Sequence, residues 1–151
     1  MIEELNITLD RLSRNLFRGS LNYNASFLVV RCKDMAGEPL EKVLADAIGN
    51  AVTVGGSESA TESDVVEAMR SALAYLGDNG SHPSREYMAS ATYVQDTELA
   101  ASQLKTLLNG ASLIISFWLK EGHPFYPVYW DFAFAAEQNN DTIVIIGSSS
   151  D

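Results

Sequence analysis

Four short apolar runs, separated by stretches of helical periodicity, constrain this chain more than any other feature. Ser26–Cys32 (SFLVVRC), Ala51–Val54, Ser112–Leu119 (SLIISFWL) and Thr142–Ile146 (TIVII) have the length and β-branched content of buried strands. Between them, Leu40, Val43, Leu44, Ala47 and Ile48 form a helical face that Pro39 opens and Gly49 closes. Val65, Met69, Ala72, Leu73 and Leu76 form a second face, behind capping-box spacings at Ser59/Glu62 and Thr61/Asp64. Ala100, Leu104, Leu107 and Leu108 form a third, begun at Asp96 or Thr97 and closed by Asn109-Gly110. Tyr87–Gln95 fits strand, helix or loop, Pro127–Gln138 reads as a short aromatic helix, and Asn139-Asn140-Asp141 is a turn. Alternating strands and helices predict one α/β domain over residues 1–151, a mostly parallel sheet flanked by helices, Rossmann/flavodoxin-like. Ligands of such sheets bind beyond the carboxyl ends of the strands. Here those ends carry Arg31 and Asp34, then residues 55–58, 120–123 and 147–151.

An amphipathic helix precedes this pattern, over residues 1–19. Ile2, Leu5, Leu9, Leu12 and Leu16 recur at spacings of three and four, which makes one apolar stripe. Two heptads are short for a coiled coil, so the stripe packs either on its own domain or on a second copy.

The charge excludes some partners. Twenty carboxylates oppose ten Lys and Arg side chains, for a net charge of −10. Twelve of the carboxylates lie between Asp34 and Glu98, against Lys42, Arg70 and Arg85. Such a field repels phosphate backbones and argues against nucleic acid. It is either a solvated surface or a surface for a basic protein partner. The longest apolar stretch, Ala111–Leu119, is too short for a membrane span, and Met-Ile-Glu-Glu-Leu does not resemble a secretory signal. One cysteine, Cys32, cannot form an internal disulfide, and the chain reads as cytoplasmic. His82, His123 and Cys32 have no metal-ligand spacing, so neither metal nor cofactor is expected. Gly55-Gly56 is too little for a phosphate loop. Cys32 with His123 is a conceivable nucleophilic pair, against the plainer reading of a buried cysteine.

Asp131 is the most conspicuous carboxylate. It lies within Tyr126-Pro-Val-Tyr-Trp-Asp-Phe-Ala-Phe, where burial is costly unless the acid is paired or does chemistry. The other reading is an exposed aspartate in a first helical turn.

From His82-Pro83 through Ala89-Ser-Ala-Thr-Tyr-Val-Gln-Asp96, then SLIISFW, WDFAFAAEQ and TIVIIG, the chain resembles nucleoside 2-deoxyribosyltransferases over roughly residues 80–147. The resemblance implies cleavage of a nucleoside or nucleotide N-glycosidic bond, by hydrolysis or by transfer of the sugar to another base. A carboxylate nucleophile would attack the anomeric carbon. By position Asp131 is that nucleophile and Asp96 holds the base, with Tyr93, His123, Phe125, Tyr126, Tyr129 and Trp130 around the substrate. It also implies a homo-oligomer. The sequence departs from the family where Asp131 replaces its glutamate, Ala133 replaces its glycine, and Phe125–Trp130 replace its glycine-rich approach. The alternatives are a non-catalytic acidic binding protein, of the immunity-protein or antitoxin kind, that neutralises a basic partner, and a degenerate ligand-sensing relative of the enzymes.

Overall fold

The computed structural model describes residues 1–151. Helix α1 (Ile2–Phe17) is followed by β1 (Asn24–Cys32), α2 (Leu40–Ile48), β2 (Thr53–Ser59) and α3 (Glu62–Leu73). The short α4 (Arg85–Met88) and the long α5 (Ala91–Leu108) come next, then β3 (Leu113–Glu121), β4 (Asp131–Gln138) and β5 (Asp141–Ser150). The five strands form one sheet in the order β1-β5-β4-β3-β2. Every neighbouring pair is antiparallel. This corrects the expected mostly parallel, Rossmann/flavodoxin-like sheet.

The physical reason lies in β5. Its Ile143 and Ile145 enter the larger core with α1, α3 and α5, while Val144 and Ile146 enter a smaller core with Val43 and Leu44 of α2. All four are buried without measurable exposure. A continuous apolar run records burial on both faces, and both faces of this sheet are covered although no strand pair is parallel. The segment expected as an aromatic helix is instead mostly β4. Phe132, Phe134 and Ala136 face the larger core, and Ala133 and Ala135 the smaller. Asn139, with φ at 56°, turns the chain through a two-residue hairpin that pairs Gln138 with Asp141.

The helices follow their expected faces more closely, except that α3 ends at Leu73 and leaves Leu76, expected on its inner face, exposed. Leu5, Leu9, Leu12 and Leu16 of α1 are at most 1% exposed, so the stripe is consumed inside the domain. Thr61 and Asp64 form the reciprocal capping box of α3, at 2.9 and 3.1 Å. Gly49 ends α2 in the left-handed conformation. Tyr87–Gln95 divides between the end of α4, a break at Ala89-Ser90 and the start of α5, which begins at Ala91, capped by Ser90, well before the expected start at Asp96 or Thr97. Beyond Ser116 and Phe134, β3 and β4 no longer pair. From there β3 continues only with β2 and β4 only with β5, and residues 122–130 bridge the gap.

The two edges of the sheet are treated differently. At β1, Asn6 and Ser13 of α1 donate side-chain hydrogen bonds to the outward carbonyls of Val29 (3.1 Å) and Ala25 (2.8 Å). Helix α1 thus covers an edge that would otherwise template pairing. At β2, only the Val54 N–H is covered, by the Glu41 carboxylate of α2 at 3.0 Å.

Truncating the buried stripe tests this packing. Leu12→Ala should lower unfolding free energy by about 3 kcal/mol, whereas Leu76→Ala, at a position 70% exposed, should change it by less than about 0.5 kcal/mol. Urea titrations followed by circular dichroism measure both.

Candidate functional site

Asp96 lies on α5 inside the helical layer, with its side chain only 8% exposed. The Arg11 guanidinium donates to one carboxylate oxygen at 3.1 Å and the Tyr87 hydroxyl to the other at 2.5 Å. Burial, with the carboxylate beside it, pushes the Tyr87 phenol well above its ordinary value. A buried carboxylate needs such partners, and this set ties α1, α4 and α5 together. Neighbouring Tyr93 donates its hydroxyl to the Leu73 carbonyl at 2.7 Å, which joins α5 to the end of α3.

Asp131 opens β4 in a different environment. Its alternation with Ala133 and Ala135 places it on the α2 side of the sheet, opposite the helical layer that holds Asp96. Its side chain is half exposed. The structure brings His123 to it, with Nε2 3.6 Å from a carboxylate oxygen. His123 Nδ1 accepts the Phe125 N–H at 3.0 Å, so the neutral ring carries its proton on Nε2, facing Asp131. Ser148 and then Ser26 continue the row across the sheet as cross-strand neighbours. This row contains serine, histidine and aspartate without triad geometry, because Nδ1 is taken by the Phe125 N–H, buried Nε2 makes no hydrogen bond at 3.6 Å from the carboxylate, and neither nitrogen receives a serine hydroxyl. Cys32, at the far end of β1 from Ser26, packs against α2 with its thiol toward the Val43 carbonyl. Burial pushes that thiol up to about 11, so it is a protonated core side chain.

The aromatic residues divide between packing and exposure. Tyr23, Tyr75 and Tyr129 stack in a triangle with centroids 5.7 to 6.1 Å apart. Trp130 lies parallel to Phe132 at 5.9 Å and donates its indole N–H to the Tyr23 hydroxyl at 2.9 Å. Beside this stack a small cavity of about 230 Å³ lies against Ala68, Ser71, Ala72 and Tyr75, and the start of β4 at Asp131, where β3 no longer pairs, borders it. Phe125 packs on the smaller core next to His123, and Tyr126 is 77% exposed. Thus His123 stands beside Asp131 with Phe125 next to its ring, Tyr129 and Trp130 join a core-lining stack, and Asp96 and Tyr93 serve helix packing. No three His, Cys, Asp or Glu side chains converge on a point that could hold a metal ion.

A feature outside those candidates stands at the other end of the sheet. Trp118 of β3 is 58% exposed and lies across Gly55 and Gly56 of β2. A side chain at Gly55 would collide with the indole's six-membered ring, and one at Gly56 would come within 2.8 Å of its N–H. The two glycines therefore sit inside a strand, where they admit the ring. A Gly pair in a strand pattern is a signal of such close approach. Ser116 and Glu58, direct partners across β2 and β3, lie on the same face as the indole.

Comparison of the chain with family models, curated proteins and solved structures yields no match.

The aromatic triangle makes a testable prediction. Burial pushes the Tyr23 phenol from its ordinary 10 up to about 12. A raised folded-state value stabilises fully below the unfolded value and loses that contribution as pH rises from about 10 to about 12. Tyr23→Phe should lose about 1 kcal/mol at neutral pH through the missing Trp130 hydrogen bond, and should then fall less steeply than the parent across this alkaline window. Denaturation midpoints measured against pH check both parts.

Proposed function

We propose that this chain is a binding protein whose partner is a basic protein. The observation that carries this reading is the imbalance of the surface charges. Of ten Lys and Arg side chains, Arg11, Arg14, Arg31, Lys42 and Arg70 each pair with one carboxylate. Five of the twenty carboxylates are thereby matched, which leaves fifteen against five unpaired cations. Exposed members of the excess include Glu4, Asp46, Glu58, Glu67, Glu86 and Glu121. A surface of this sign steers a cationic partner toward it and repels acidic ones.

The placement of the carboxylates also favours binding over N-glycosidic cleavage. That chemistry needs a nucleophile and a base-holding acid about one bound nucleoside. Asp131 and Asp96 stand on opposite sides of the sheet, and Asp96 is already engaged by Arg11 and Tyr87.

Tagged chain should retain a strongly basic protein at low ionic strength and release it as salt rises past the physiological range. Identification of the retained proteins by mass spectrometry checks this, and enrichment of no basic protein at low salt would sink it. Incubation with a panel of nucleosides and their monophosphates should release no free base. Release that Asp131→Asn abolishes would replace the binding reading with the catalytic one.

A further inference from the structure

We infer that the outer edge of β2, from Gly55 to Ser59, is a docking edge where an extended basic segment of the partner adds as a sixth strand, with a Lys or Arg side chain over Trp118. The inference rests on the reading above that the partner is basic, and it assigns where that partner binds.

The backbone supplies the first half of the argument. The order of the sheet puts β2 at one end, with β3 as its sole neighbour. The Ala60 N–H donates to the Ile114 carbonyl at 2.9 Å, so residue 60 points its polar groups toward β3. Antiparallel alternation then turns Glu58 inward as well, and turns the N–H and C=O groups of Ser57 and Ser59 outward. Ser57 and Ser59 are exposed. At the opposite end of the sheet, α1 side chains occupy two outward carbonyls of β1. Helix α1 covers part of one edge, and the other offers two residues' worth of free strand hydrogen bonding. Added strands use such groups for affinity and alternate side chains for specificity.

The side chains supply the second half. An added strand would place every second side chain on the Gly56 and Glu58 face, where the indole of Trp118 reaches over the glycines toward the edge. A cation there meets the exposed ring and the Glu58 carboxylate together. Glu41 stands at the Val54 end of the strand and Glu121 pairs opposite Thr53, while Lys120 is the single cation on β2 or β3. A shallow groove of about 370 Å³ runs between Gly56, Ser57, Glu58, Ser116 and Trp118. A second copy is a poor occupant, since antiparallel pairing of two β2 edges would bring their Glu58 side chains close within two chains of net charge −10.

The test uses the full chain, labelled with ¹⁵N, and a synthetic peptide alternating Lys and Val, titrated at low salt. Two control peptides accompany it: the same sequence N-methylated at alternate residues, which keeps the charge and removes strand donors, and the same sequence with Glu for Lys. The parent peptide should shift the amides of Ser57 and Ser59 and the Trp118 indole N–H, and should slow hydrogen exchange at the two serines. N-methylation should weaken binding about tenfold or more, and the Glu peptide should not bind. Trp118→Ala and Ser57→Pro should each weaken the Lys peptide about tenfold. Ser57→Pro removes only an outward N–H, so its unchanged circular dichroism controls for folding. Shifts confined to another surface, or equal affinity for the N-methylated peptide, would overturn the edge assignment and leave the basic-partner reading intact. Failure of the Lys peptide to bind anywhere would overturn both.

Discussion

The rest of the structure depends on the burial of β5 from both sides. Its alternate side chains feed two cores, so the sheet needs cover on each face. Helices α1, α3 and α5 supply one layer, and α2, crossing from β1 at one edge to β2 at the other, supplies the second. Covering the central strands this way commits α1 to β1, where its Asn6 and Ser13 also occupy two outward carbonyls of that edge. Helix α2 reaches β2 through Glu41 alone among its hydrogen-bonding side chains, and the remainder of that edge stays open. The openness of β2 is thus a consequence of where the apolar surface is spent.

Much of the helical layer was legible in the sequence because it follows a local rule. The α1 leucines, the α2 face with Gly49 and the Thr61/Asp64 box each declare themselves within a few residues. Strand direction does not, because an apolar run such as TIVII reports two-sided burial and nothing about its neighbours. The β4 sequence DFAFAAEQ is rich in residues that favour helices, and the Phe132/Phe134 alternation that marks a strand spans only three positions. The start of α5 is hidden for another reason. Its first turns bury Asp96 and half-bury Tyr93, polar side chains that interrupt the apolar period and are satisfied by Arg11, Tyr87 and Leu73 from three other helices.

The candidate site divides the same way. Asp131 in an aromatic run is visible as an unusual placement, and the structure does bring His123 to it, with Phe125 bonded to the His123 ring. The separation of Asp131 from Asp96 follows from which face each residue takes, and that is set by the antiparallel register rather than by spacing in the chain. Gly55-Gly56 carries a signal that two chemistries share, close approach to a ligand or close approach of a side chain, and Trp118 decides for the second. What makes β2 a candidate docking edge is a contrast between two edges, which no single segment records.

The most direct measurement is native-state hydrogen exchange on the free chain. An open β2 edge requires the Ser57 and Ser59 amides to exchange rapidly while those of Glu58 and Ala60, which point toward β3, stay protected. Equal, strong protection of all four amides would contradict the account, because it would mean that the edge is already covered in the free protein.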